Sequence, residues 1–335
     1  MSTSAGLFDL QVNGYAGVDF NDPSITAARV DIALGAMLEA GVTQCLPTLI
    51  TARPAELRER FKALDAAVAQ SRLGPLMVPG YHLEGPFLNP AAGYAGCHPP
   101  EVMTDPDIGL IELVEAGLQR PILLVTLAPE RVGAKSFIAE LAGRGKATAM
   151  AHSAAGFAEV GAAADAGMTL STHLGNGLPQ LLPKLENAVL AQLAEPRLAT
   201  CLIADGHHMS PQALAALLRI KGTGNCILVT DAVLGAAAPP GAYVFAGMPV
   251  ERTAAGAMVQ PGQVNLAGSA LCLDQAVRNV VEWTGITADT AIGMASLAPR
   301  RALARAMSHH HIVADPGLVR WSSDLRPMVE KLPFL

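Results

Sequence analysis

Four ionisable side chains stand where an apolar run gives way to a polar loop. Glu84 lies in HLEGP, His152 in AHS, His173 in THLGN and Asp231 in VTDA. Glu84, His152 and His173 make a His₂Glu set, a composition that holds catalytic zinc and leaves one tetrahedral position open for water. A cation held there lowers the pKa of water from about 15.7 to about 7 and polarises a carbonyl. Asp231 would face the same water, and an Asp beside a cation stays ionised, so it can accept a proton and return it. The chemistry this set predicts is metal-assisted hydrolysis of a bond not specified by these residues. Gln11 and Asn13 end the first apolar run, where a second metal would call for His-x-His. Neutral amides are poor zinc ligands, so one metal is expected, with Gln11 and Asn13 lining the cavity as hydrogen-bonding groups.

Residues this far apart in the chain meet only if the elements carrying them end on one face. Short apolar, β-branched runs alternate with Ala/Leu-rich segments of helical period, which predicts parallel strands joined by helices. The expected strands are Leu7–Val12, Val42–Leu49, Leu76–His82, Ile122–Leu127, Ala147–His152, Met168–His173, Ala199–Ala204 and Cys226–Thr230. The expected helices are Thr26–Ala40, Pro54–Gln70, Pro106–Gly117, Gly133–Gly143, Gly156–Ala166, Glu186–Ala194, Pro211–Arg219 and Leu271–Trp283. Eight alternations fit a closed (β/α)8 TIM barrel better than a doubly wound sheet. Such a barrel carries its site at the C-terminal ends of its strands. His82, His98, His152, His173, His207 and His208 fall at that rim, whereas His309–His311 lie beyond the last expected helix and read as a solvated turn.

Composition agrees. Of 335 residues, 51% are hydrophobic and 16% charged, enough apolar surface for one large core. The net charge of -6 offers no attraction to nucleic acid or to anionic membrane. Cys45, Cys97, Cys201, Cys226 and Cys272 are odd in number and never spaced as CxxC, against a disulfide framework and a thiolate zinc site alike. With no long apolar stretch and no basic n-region before an apolar run, a cytoplasmic location is expected.

The segments LFDLQVNGYAGVDFND, HLEGPFLNP, AHSAA, THLGNGLP, LIADGHHMSP, LVTDA and LAGSALCLDQAVRN resemble, in order and spacing, the N-acetylglucosamine-6-phosphate deacetylases of the amidohydrolase superfamily over roughly residues 7–305. The resemblance implies that Glu84, His152 and His173 hold one divalent ion per subunit, zinc first and iron or cobalt as alternatives. It implies that Asp231 activates the water and then protonates the leaving amine. His98, in GCHPP, would help polarise the acetamide carbonyl, and Asn176, Gly177 and His208 would contact phosphate and sugar. Acetate would be removed from N-acetylglucosamine 6-phosphate, an amino-sugar phosphate, by a homodimer. The rivals are the same chemistry on N-acetylgalactosamine 6-phosphate or an unphosphorylated sugar, and a non-catalytic sugar-phosphate-binding homologue. A Schiff-base isomerase or aldolase would want a lysine at a strand end, and none stands there.

Three departures from the family pattern set further expectations. Lys184, in LPKLEN, stands where the family grips phosphate with arginine, so phosphate would be held without the bidentate fork. Gly175 and Gly177 replace larger residues, which predicts a wider sugar pocket. The family's roughly 50 residues of N-terminal strands are not here, so the small β-sandwich is expected to be reduced or absent. Residues 1–305 would form the barrel, and 306–335 a tail of remnant sandwich strands with no N-terminal partner. The long detour from Ala232 to Ala267 would cover the active site.

Overall fold

Apolar runs buried along their whole length, such as Leu7–Val12 and Val42–Ile50, form strands covered on both faces. The computed structural model describes residues 2–262 and 265–333. Eight parallel strands follow one another in sequence order: β1 (Leu7–Val12), β2 (Val42–Ile50), β3 (Tyr81–Glu84), β4 (Ile122–Leu127), β5 (Ala147–Met150), β6 (Leu170–Ser171), β7 (Ala199–Leu202) and β8 (Cys226–Leu228). The last meets the first just beyond its own end. Val12 bridges Ala232, the Asp231 amide donates to Gln11 O at 2.9 Å, and the Asn13 amide donates to Ala232 O at 2.7 Å. The seam of this (β/α)8 barrel therefore passes through Asp231.

The connecting helices are α1 (Ala27–Glu39), α2 (Pro54–Gln70), α3 (Ile108–Glu115), α4 (Ala134–Gly143), α5 (Phe157–Ala166), α6 (Ala188–Ala194), α7 (Pro211–Lys221) and α8 (Leu273–Thr284). Their starts follow the side chains. Ser210 accepts from the Ala213 amide with Pro211 at the first position of α7, and Asn187 accepts from Val189 and Leu190 at the start of α6. No helix among the described residues is long and apolar enough to cross a membrane.

Most element ends fall within two residues of expectation, and two departures are larger. Leu76–His82 is not one strand: Gly74–Met77 is a turn of helix begun by Pro75, and β3 starts only at Tyr81, since Pro79 has no N–H for a ladder. A long helix absent from the expected set, α9 (Ala288–His309), packs on β1 and α8 despite Pro299 in its interior. His309 closes that helix against Gly145 rather than standing in a free turn.

The detour folds as a four-stranded antiparallel sheet of Gly241–Phe245, Met248–Arg252, Ala257–Val259 and Leu266–Ser269. Its first hairpin turns on Ala246 and Gly247, with φ of 49° and 87°, the left-handed pair that a two-residue turn requires. The Asp19 carboxylate anchors this sheet by accepting from the Ala246 amide at 2.6 Å. Burial, against the lowering effect of the Ala246 and Asn21 amides, pushes Asp19 up to about 6. A raised carboxylate binds its proton more tightly folded than unfolded, so ionising it costs stability between about pH 4 and 6, with the full cost above 6. Melting curves across that range should show the wild type losing ground to Asp19→Asn as pH rises, then running parallel. A constant difference throughout would remove Asp19 from the account.

The tail was expected to lack an N-terminal partner, and this is corrected. Ser2–Ala5 pairs antiparallel with Leu318–Trp321, which pairs in turn with Pro327–Lys331, so a three-stranded sheet stands where a sandwich was expected to be reduced or absent. The four residues before β1 suffice because Trp321 is fully buried and its Nε1 donates to Ser4 Oγ at 2.9 Å. Trp321→Ala should cost about 3–5 kcal/mol of unfolding free energy. A denaturant midpoint near that of the wild type would mean that this sheet contributes little.

Candidate active site

The strand ends bring their polar residues to one cavity of about 770 Å³, lined among others by Asn13, Glu84, His98, His152, His173 and Asp231. That volume suits a small metabolite. Three of these residues hold backbone angles that L-residues avoid: φ is +50° at His152, +27° at His173 and +49° at Asp231. Such strain persists where the surroundings over-determine it, and it clusters at functional sites. At Asp231 the surroundings are visible, because its amide is fixed to Gln11 O and its carbonyl accepts from the Ser269 amide at 2.9 Å.

Glu84 is the hub. Its Oε1 lies 2.9 Å from His173 Nε2 and 3.8 Å from His152 Nε2, while its Oε2 lies 3.8 Å from His98 Nε2 and accepts from Gln11 Nε2 at 3.1 Å. Burial alone would push this carboxyl up. The hydrogen bond and charge of His173 instead hold it well below the usual range. His173 moves the other way: burial disfavours its charge, but Glu84 outweighs burial and raises it. His152 is pushed down to about 3 by burial and by its neighbours His98 and His173, so it is neutral at physiological pH. Burial also lowers His98.

The hydrogen bonds decide which ring nitrogens carry protons. His152 Nδ1 lies 2.6 Å from Tyr94 O, and a carbonyl only accepts, so the proton sits on Nδ1 and Nε2 presents a lone pair. Thr51 Oγ1 lies 2.8 Å from His98 Nδ1 and 3.3 Å from Glu84 O. Glu84 O only accepts, so the hydroxyl proton goes to it, the Thr51 oxygen accepts from His98 Nδ1–H, and His98 Nε2 presents a lone pair to the cavity. His173 Nδ1 is buried with no partner among the described residues.

A divalent cation fits this set. Ligand atoms of Glu84, His98 and His152 lie within 4.8 Å of one another, and His173 holds Glu84 from the other side. Carboxylate oxygen and neutral imidazole nitrogen are the donors that zinc, iron and cobalt accept. His98 thus stands in this group where His173 was expected, and His173 lies outside it, on Glu84 Oε1.

Asp231 stands at the rim. Its Oδ1 accepts from Asn13 Nδ2 at 2.7 Å, and burial pushes it up to about 6 against the lowering charge of His173, with Glu84 adding to the rise. Gln11 and Asn13 accordingly hold the two carboxylates. Asn176, Gly177 and His208 line the cavity, with His208 Nδ1 fixed by Asp205 Oδ2 at 2.7 Å. Lys184 is exposed and does not line it. His82 is buried beneath the site on Leu10 O and Thr126 Oγ1, pushed down to about 4 by burial.

Sequence reasoning missed Thr51 and the Tyr94 carbonyl, which set two of the tautomers, and Phe245, Asn265 and Leu266, which the cover sheet brings to the cavity. Glycines carried a signal that could have found the close approach. At Gly177, φ +63°, an added Cβ would run into the His152 ring, and at Gly96 it would come within 2.9 Å of the same ring. Gly177→Ala should displace His152 and weaken cation binding at least about tenfold. A cation titration matching the wild type would show that the ring has room to move.

No family model matches the chain. It is 36% identical over 88% of its length to 76% of an N-acetylgalactosamine-6-phosphate deacetylase of Escherichia coli O157:H7. It is 33% identical over 89% of its length to 74% of an N-acetylglucosamine-6-phosphate deacetylase of Danio rerio. Among solved structures, that of N-acetyl-D-glucosamine-6-phosphate deacetylase from Mycobacterium smegmatis superposes with a TM-score of 0.87 at 28% identity, over 99% of this chain and 86% of that one.

Proposed function

The chain belongs to the N-acetylglucosamine-6-phosphate deacetylases of the amidohydrolase superfamily, and from that premise we propose how its residues hydrolyse the acetamide of N-acetylglucosamine 6-phosphate to glucosamine 6-phosphate and acetate. The observation that carries the proposal is the meeting of one carboxylate and three imidazoles with Asp231 at the mouth of a single cavity. Glu84, His152 and His173 would hold the divalent cation, with zinc the first choice and iron or cobalt its alternatives. When bound, the cation supplies Lewis acidity, polarising the acyl oxygen and lowering the pKa of water.

The remaining steps belong to the chain. Asp231 takes a proton from the attacking water as its oxygen bonds to the acyl carbon, and Asn13 keeps the carboxylate turned to the cavity. His98 would face the acyl oxygen with Nε2, its ring held by Thr51 through Nδ1. As the C–N bond breaks, Asp231 returns its proton to the departing nitrogen. Asn176, Gly177 and His208 receive the sugar phosphate. Lys184, being exposed and off the cavity wall, is assigned to phosphate only across a homodimer interface. Five unpaired cysteines support a cytoplasmic location.

The relative from Escherichia coli O157:H7 supports a second reading, in which the galactosamine epimer is the better substrate. Acetate release from the two N-acetyl sugar phosphates and from unphosphorylated N-acetylglucosamine tests both. The first reading expects the glucosamine phosphate to have the highest kcat/KM. It is overturned in favour of the second if the galactosamine phosphate exceeds it at least about tenfold, a gap of about 1.4 kcal/mol in transition-state stabilisation.

A further inference from the structure

A second cavity, of about 530 Å³, lies at the opposite end of the barrel. Gln44 reaches it from the N-terminal end of β2 and Arg300 from α9, and the segment after α9 closes it with Ile312 and Val313. None of these residues takes part in the chemistry above.

The donors in this cavity outnumber their acceptors. A guanidinium has five N–H bonds. In Arg300, Nη1 donates to Gly6 O and Ser296 O, both at 2.7 Å, and Nη2 donates to Gln44 Oε1 at 2.8 Å. The N–H on Nε and the second on Nη2 have no acceptor among the described residues, and Nε is buried. Gln44 is fully buried, and its Nε2 is also without a partner. Turning the amide over does not help, because Oε1 must face the guanidinium. Arg300 Nε and Gln44 Nε2 have no accessible surface, so the donor left for an occupant of the cavity is the second N–H of Arg300 Nη2.

Charge is unbalanced in the same place. Arg300 makes no ion pair among the described residues. The charge of Asp315 reaches it, but that carboxylate is engaged by Lys331 Nζ at 2.6 Å and by the Gly317 amide at 2.7 Å. Arg300 packs over the Phe8 ring, 5.4 Å from its centroid, and burial pushes it down to about 10. A buried cation with no counter-ion favours an anion from solution. Ala304, Met307, Ile312 and Val313 supply an apolar wall beside it.

We propose that this floor cavity binds a small organic carboxylate, which accepts from the second N–H of Arg300 Nη2 and whose apolar body lies against Ala304, Met307, Ile312 and Val313. One negative charge matches one guanidinium, and the volume admits a body larger than acetate. The site is independent of the deacetylase reading.

Titrations followed by ligand-observed NMR test it, with benzoate as probe, benzamide as its neutral counterpart and inorganic phosphate as an anion without an apolar body. Benzoate should bind with a Kd of about 1 mM, and both comparison compounds at least about tenfold more weakly. Gln44→Glu gives Arg300 an internal carboxylate of the same size and should abolish benzoate binding. Ala304→Phe, at an exposed helix position, should weaken binding by obstructing the cavity should Gln44→Glu fail to fold. His152→Ala, at the far end of the barrel, should leave it unchanged. Absence of saturable benzoate binding, binding no tighter than that of benzamide or phosphate, indifference to Gln44→Glu or Ala304→Phe in folded protein, or loss in His152→Ala would each overturn the proposal.

Discussion

Asp231→Asn will lower kcat by about 10²–10⁴-fold while the protein keeps a full equivalent of divalent cation. The substitution is nearly isosteric, and the main chain at 231 is held on both sides by Gln11 and Ser269, so the new side chain occupies the same place. Its oxygen must still accept from Asn13 Nδ2, which turns the NH₂ group towards the cavity, where a proton acceptor was needed. Asp231 is engaged by Asn13 and is not among the proposed ligands Glu84, His152 and His173, so the cation should remain. Turnover assays paired with elemental analysis separate the outcomes. Near-native kcat would remove Asp231 from proton transfer, and loss of the cation would make it a ligand instead.

His152→Ala should behave differently, with cation and activity lost together. The ring is pinned by Tyr94 O, pressed by Gly96 and Gly177, and aimed at Glu84, so nothing nearby replaces its Nε2 lone pair. Altering groups that merely orient a ligand weakens metal binding by about 10–100-fold, and removing a ligand should exceed that. Excess cation should then restore part of the activity, which it should not do for Asp231→Asn. A His152→Ala protein that retains stoichiometric cation would transfer the ligand role to His98, whose Nε2 also faces Glu84.

Much of this site was legible because a barrel converts chain order into geometry. Apolar runs such as Ile122–Leu127 could be bounded almost to the residue, since a strand buried on both faces is apolar at most of its positions. Glu84, His152, His173 and Asp231 then had to share a rim. The misses have local causes. Leu76–His82 is as apolar as a strand, but Pro75 just before it starts a helical turn and Pro79 delays β3. In α9, Pro299 interrupts an otherwise helical run, yet packing on β1 and α8 carries the helix through it. Ser2–Ala5 has no apolar pattern of its own and becomes a strand because Trp321 packs beneath it.

The finer points of the site were out of reach for another reason. Gln11 and Asn13 were legible as polar residues at a strand end, but their partners, Glu84 and Asp231, lie 73 and 218 positions away. The left-handed angles of His152, His173 and Asp231 leave no mark in residue type, because glycine is the usual signal and none of the three is glycine. The tautomers depend on Thr51 and on a main-chain carbonyl, neither of which looks chemical in a sequence.

The most direct test of the central claim is hydrolysis of N-acetylglucosamine 6-phosphate in heavy-oxygen water by the cation-loaded protein, with both products analysed by mass spectrometry. The account predicts one heavy oxygen in the acetate, and acetate and glucosamine 6-phosphate in equal amounts. Absence of acetate, or acetate without heavy oxygen, would contradict it.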